Sequence, residues 1–333
     1  MSVNPSFSDK NPWTGRSSSE QKPFEYWHEC IAFGTLAALE TDRLSTPHPK
    51  VGLLGYACDE GVKRNNGRAG AVEGPVGIRQ QLGRLAAHFE PGMVMDFGDV
   101  HCNNGDLEAT QKSFSERVAV LQSKGIFTIG MGGGHDLAYA HYKGLRQAFQ
   151  QSEQPKIGIL NFDAHLDLRP TIKGPTSGTP FYQIMTETQG EVPYYVVGLQ
   201  PQATPQSLLD TADKYKVGYT AAADCHWENI TTLKANILSF FSQCDHLYIS
   251  VDLDVFSSAY APGVSAPGPF GFTPQFFDLL FSDLIKAKNV IALDVVELNP
   301  KYDLDFATAR LAAQIINCAV VSKYGNPYEK FNG

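Results

Sequence analysis

The stretch Lys156 to Pro170, KIGILNFDAHLDLRP, constrains the fold of this chain more than any other. Ile157 to Phe162 is a short apolar run of the kind that forms a buried strand, and it is followed at once by Asp163, His165 and Asp167 at every second position. In extended backbone, alternate side chains leave the same face, so two carboxylates and an imidazole converge just past the strand's end. Taken alone, the triplet suits a metal site, a solvated strand edge or a hydrogen-bonded turn.

The same arrangement recurs along the chain. His246 to Val251 (HLYISV) is a second buried strand that runs into Asp252 and Asp254, and Val290 to Val296 is a third that ends at Glu297. Gly125 to Ala140 (GIFTIGMGGGHDLAYA) reads as a strand, a glycine turn and then His135 and Asp136 at the start of a helix. No Lys-Ser/Thr follows the glycines, so this is not a phosphate loop. Further strands are expected at Val51 to Tyr56, Val94 to Phe97 and Tyr194 to Leu199. Helices are expected over Phe24 to Leu39, from about Pro75, over Leu107 to Ser123, from Phe181, over Phe276 to Lys286 and from about Asp305 to Lys323. Residues 200 to 235 carry only a weak pattern.

This alternation predicts an α/β fold, a three-layer α/β/α single domain with a mainly parallel central sheet. Residues 1–50 are expected to form an N-terminal arm and leading helix, and 51–333 the main α/β domain. The acids and histidines then collect at the carboxyl ends of the strands, where such sheets place their ligands.

Lys plus Arg is 27 and Asp plus Glu 35, a formal net charge of −8 that argues against a nucleic-acid or anionic-membrane surface. The six cysteines show no C-x-x-C pair or dense framework, as expected of reduced thiols in the cytoplasm. Neither a signal peptide nor a bilayer-spanning run is present, so a soluble cytoplasmic protein is expected.

Four separated segments thus offer His135; Asp163, His165 and Asp167; Asp252 and Asp254; and Glu297. Two imidazoles and four carboxylates could hold two divalent ions, whose four positive charges the four aspartates balance. Oxygen and imidazole donors without thiolate favour Mn²⁺, with Zn²⁺ and Fe²⁺ inside the range of the set. The loop after the expected strand Val51 to Tyr56, CDEGVKRNNGRAGAVEGP, carries Lys63, Arg64, Asn65 and Arg68, and its basic residues suit an anionic substrate.

With GGGHD, DAHLD, SVDLD followed by APGVSAP, and DVVELNP in that order, the chain resembles the ureohydrolase family of arginases, agmatinases and formimidoylglutamases. Within it, GVKRNNGRAGAVEGP, the SGTPF turn and Trp13-Thr14-Gly15-Arg16 look most like formimidoylglutamase. The resemblance implies an arginase-like fold and two Mn²⁺ per subunit on His135, Asp163, His165, Asp167, Asp252 and Asp254. It also implies a homo-oligomer that cleaves N-formimidoyl-L-glutamate to L-glutamate and formamide, a step of histidine degradation. In that reading Glu297 holds the substrate's cationic amidine and Asp167 carries a proton to the departing amine. Arg169, with Arg64 or Arg68, meets the substrate carboxylates, and Ser177 and Thr179 are further candidate contacts. Arginases have Asn where this chain has Arg169, and a Ser-Gly-Asn-x-His segment where it has Ser177 to Phe181. Those departures weigh against arginine as substrate. Agmatinase, guanidinobutyrase and arginase-type activities are the alternatives, as is a metal-binding protein without turnover.

Overall fold

The computed structural model describes residues 11–41, 43–44, 48–150, 155–287 and 289–325. Among these residues nine strands form one parallel sheet: β1 (Ala32–Phe33), β2 (Val51–Ala57), β3 (Val94–His101), β4 (Phe127–Met131), β5 (Ile157–Phe162), β6 (Tyr194–Leu199), β7 (Gly218–Ala221), β8 (His246–Asp252) and β9 (Val290–Val296). Their order is β1-β3-β2-β4-β9-β8-β5-β6-β7. The expected three-layer α/β/α architecture is the observed one. Strands 2, 4, 5, 6 and 9 are buried along their whole length, which is why they read as unbroken apolar runs rather than as alternating ones.

Helices cover both faces. On one side Leu107–Ser123, Leu137–Ala148 and Pro180–Glu187 pack with Ile159, Tyr194 and Tyr248. On the other, Gly74–Leu82, Pro274–Ala287 and Ala307–Tyr324 pack with Ile129, Phe162 and Leu293. Phe162 meets Phe277 edge-on at 4.9 Å between ring centroids, and Phe277 stacks on Phe281 at the same separation. Each such fully buried ring contributes roughly 1.5–3 kcal/mol through removal from water. No helix of the described residues is long and apolar enough to cross a membrane.

The sheet brings together the four strands that carry the candidate ligands. β4, β9, β8 and β5 are consecutive neighbours, although β5 and β8 are far apart in sequence. Phe162 is level with Val251, Asp252 with Val296, and Met131 with Val295. All four therefore end at one height, at the point where strand order reverses direction.

The N-terminal region departs from expectation in two ways. Instead of one helix over Phe24 to Leu39, there are two short ones, Trp27–Cys30 and Leu36–Glu40, with β1 between them. Ala32 and Phe33 pair with Met95 and Asp96, and Gly34 lies so close to Met95 that an added Cβ would sit 2.3 Å from its sulfur. Edge pairing thus overrides a near-helical apolar spacing. Residues 1–10 of the expected surface arm lie outside the described residues, but Trp13 is buried. Its indole N–H donates to Asp96 at 2.7 Å, and its ring stacks on Trp27 with centroids 6.5 Å apart. Asp96 also accepts from Arg79 at 2.7 Å, and Arg79 reaches Asp99 at 2.6 Å with no exposure to solvent. β3 continues to His101, beyond the expected end at Phe97, because Arg79 neutralises the acids along it.

Candidate metal centre and active-site cleft

The turn after β4 sets the first ligand candidate. Gly132 and Gly133 have φ of +72° and +71°, and a Cβ on Gly133 would lie 2.5 Å from the Tyr56 carbonyl oxygen. Only glycine takes that path without strain. It delivers His135 to the sheet's carboxyl edge, where the ring is 1 % exposed.

The tautomer of His135 follows from its neighbours. Ser250 Oγ donates to Asp294 Oδ1, so towards His135 it can only accept, and Nε2 at 2.9 Å carries the ring proton. In the neutral ring the lone pair is therefore on Nδ1. That atom lies 3.0 Å from Asp167 Oδ2, 3.1 Å from Asp252 Oδ2 and 3.3 Å from Asp163 Oδ2, with none in line for a regular hydrogen bond. A lone pair and three carboxylate oxygens closing on one buried point call for a cation. A second group adjoins the first: His165 Nδ1 is 3.1 Å from Asp254 Oδ2 and 3.5 Å from Asp163 Oδ1. Asp163 offers one oxygen to each group, and both groups bring their donor atoms within 4.8 Å of one another. All six residues nominated from sequence are brought together, and their donor set fits two hard or borderline divalent ions.

Protons compete for the same atoms. Asp254, foremost, pushes His165 up to about 12. Burial works against a charged His135, but Asp163, Asp167 and Asp252 outweigh it and raise that ring as well. Burial, followed by neighbouring acids, lifts Asp252 and Asp167, whereas the two imidazoles overcome burial at Asp163 and hold it low. The metal-free rings thus hold protons across the neutral range and must release them to become ligands. Affinity for Mn²⁺ is expected to fall as pH is lowered, by about tenfold per pH unit for each proton released. Titrations at pH 6.5 and 8.5 in buffers of different ionisation enthalpy check this; affinity independent of pH would contradict the ligand set.

Several supporting residues are absent from the sequence-based selection. Asn161 donates to Asp163 Oδ2 at 2.9 Å and to Tyr194 at 3.1 Å, and Tyr194 donates to the Leu166 carbonyl at 2.9 Å. Asp294 accepts from Tyr248 as well as from Ser250. Asp167 and Glu297 have φ of +47° and +67°, backbone strain gathered at the site. Glu297 Oε1 accepts the His135 amide at 2.9 Å, Oε2 has no partner among the described residues, and burial, foremost, pushes the carboxyl up to about 8.

A cleft of about 270 Å³ opens over the cluster, with His135, His165, Asp167, Asp252, Asp254 and Glu297 on its floor and Asn65, Arg169 and Ser177 in its wall. The Arg169 side chain has neither a hydrogen bond nor an ion pair among the described residues. Arg64, Arg68 and Thr179 depart from the expected role. Arg64 pairs with Glu60 at 3.2 Å and Glu108 at 2.8 Å, whereas Arg68 donates to the Val264 and Ser265 carbonyls and lies 4.3 Å over the Tyr302 ring. Thr179 is buried in its own turn, accepting from Thr176 N at 2.9 Å and bonding Gln183 at 3.0 Å. None of the three lines the cleft.

An all-parallel sheet with paired Asp/His groups at its central carboxyl ends defines a class of metal-dependent hydrolase, and residues 49–322 match the arginase family, to which this chain belongs. Among its relatives, the chain is similar to the formimidoylglutamase of Geobacillus sp. (strain WCH70), 37% identical over 316 residues that cover 94% of this chain and 95% of the relative. Its fold is similar to that of the formimidoylglutamase of Bacillus subtilis subsp. subtilis str. 168, with a TM-score of 0.77 at 23% identity over 95% and 98% of the two chains. The manganese-containing formiminoglutamase of Trypanosoma cruzi gives a TM-score of 0.74 at 24% identity, covering 87% of this chain and 98% of its own.

Proposed function

We propose that this chain hydrolyses N-formimidoyl-L-glutamate to L-glutamate and formamide, using two Mn²⁺ per subunit held by His135, Asp163, Asp167 and Asp252 on one side and Asp163, His165 and Asp254 on the other. Whole-length similarity to formimidoylglutamases supports the reaction. The observation that carries the substrate is Arg169: a guanidinium without a partner among the described residues, in the wall of a cleft whose floor is acidic. A substrate that is cationic at one end and anionic at the other fits that polarity.

When bound, such a metal pair supplies Lewis-acid activation of water near neutral pH. The protein's own groups do the rest. Glu297 Oε2 accepts from the amidinium N–H groups and orients the amidine carbon over the cluster. Asp167 takes a proton from the attacking water and hands it to the departing glutamate nitrogen as the C–N bond breaks, and that water's oxygen becomes the oxygen of formamide. Arg169 receives a carboxylate through its two-pronged donor face. Residues 51–333 serve as the catalytic unit, with 1–50 as its N-terminal arm and leading helices, and the enzyme works as a cytoplasmic homo-oligomer.

The test is an assay of the Mn²⁺-loaded protein with N-formimidoyl-L-glutamate, arginine, agmatine and 4-guanidinobutyrate, following formamide and urea. Formamide from the first substrate alone is expected. Urea from agmatine, which has no carboxylate, would overturn the role of Arg169 and the substrate with it.

A further inference from the structure

We propose that Asn65 is a specificity-determining residue, which together with Ser177 receives the second carboxylate of a dicarboxylate substrate. This rests on the substrate reading above. N-Formimidoyl-L-glutamate carries two carboxylates, yet among the described residues lining the cleft Arg169 is the only Lys or Arg. A second carboxylate brought near four aspartates without donors of its own pays heavily in lost hydration. The wall supplies those donors as neutral groups.

The chain presents Asn65 deliberately. The helix Glu60–Arg64 ends at Asn65, and Asn66, with φ of +60°, turns the backbone away. Beyond it Gly67 is clamped against Ser265, where an added Cβ would lie 2.4 Å from Oγ, and the Arg68 amide donates to the same hydroxyl at 3.1 Å. Arg64 and Arg68 are both held by protein partners, and the asparagine between them lines the cleft. Asn65 Nδ2 donates to Ser177 Oγ at 3.3 Å. That bond leaves the Ser177 hydroxyl proton and the second amide N–H free to point at a ligand. Arg169 flanks the same spot: a Cβ on Gly178 would lie 3.0 Å from Arg169 Cδ and 3.2 Å from Asn65 Nδ2. One charged and two neutral donor groups thus share one wall, enough for two carboxylates.

Asn65→Asp tests this with almost no change in shape. The carboxylate would take the Ser177 proton for itself and repel the ligand. KM is measured for three substrates: N-formimidoyl-L-glutamate, N-formimidoylglycine, which keeps only the α-carboxylate, and 4-(formimidoylamino)butanoate, which keeps only the distal one. For the variant, KM for the dicarboxylate is expected to rise roughly tenfold or more, with kcat within about threefold and metal content unchanged. One of the two monocarboxylates should suffer the same rise and the other none. Asn65→Ala, which removes the donor without adding charge, should show the same pattern at a smaller factor. An unchanged KM for the dicarboxylate, or an equal rise for all three, overturns the inference while wild-type turnover keeps the substrate reading intact. Failure of the wild type to release formamide from the dicarboxylate overturns both.

Discussion

Asp252→Ala is expected to lose metal and activity together: no more than one Mn²⁺ per subunit after gel filtration, and kcat lower by roughly a thousandfold or more. Asp252 is the member of the cluster with most to lose by standing alone. Burial, then Asp254 and Asp163, hold its carboxyl well above the usual carboxylate range in the metal-free protein, so its ionised form there awaits a cation. Its Oδ1 also caps the short turn after β8 by accepting from Asp254 N at 2.8 Å, which ties Asp254 in place. The variant therefore loses a ligand and loosens the next one. Added Mn²⁺ should raise the unfolding temperature of the wild type far more than that of the variant, by mass action on the folded state. Two tightly held ions with full turnover in Asp252→Ala would remove the basis for the ligand assignment.

Glu297→Gln separates substrate binding from metal binding. Among the described residues Glu297 stands outside both ligand groups, and its buried Oε2 has no hydrogen-bond donor. An amidinium cation supplies one. The amide can keep the bond to the His135 N–H through its oxygen, but it then turns an NH₂ towards the substrate cation. We expect kcat/KM to fall by about a hundredfold or more while both metals stay bound, since a charge-assisted bond is exchanged for a repulsive contact. Elemental analysis beside the kinetics decides. Loss of metal in Glu297→Gln would recast the residue as a support for His135, and unimpaired kinetics would exclude it from the substrate site.

How far the site was legible depended on which physical rule each residue obeys. Asp163, His165, Asp167, Asp252 and Asp254 stood out because their every-second spacing past a buried strand suggests one face. The backbone that gathers them is nevertheless turned rather than extended, with Asp167 at φ +47° and Asp254 in the short turn after β8. The same rule, carried two residues back, reaches Asn161 and Ser250, which hold Asp163 and His135; the signal was present and unused. Arg64 was misread although Glu60 lies four residues before it on the same helix, a spacing that pairs the two. Arg68 was beyond reach, because its partner Tyr302 comes from a distant loop and no local pattern announces it. Phe24 to Leu39 shows the complementary failure, in which apolar spacing suited a helix but the sheet edge offered Ala32 and Phe33 a stronger partner. The sheet itself was expected as parallel. Its order was not, since nothing in β8 or β9 says that they fall between β4 and β5.

That order has a consequence for how the protein is made. As the chain leaves the ribosome, β2 to β4 and then β5 to β7 are complete long before the two strands that join them. Until β8 and β9 arrive the halves expose the open edges of β4 and β5, and His135 and Asp163 belong to separate pieces. At 5–20 residues per second the interval is on the order of ten seconds. The full ligand set is thereby assembled only once β8 is in place, and the edges of β4 and β5 lack their final partners until the centre of the sheet is filled.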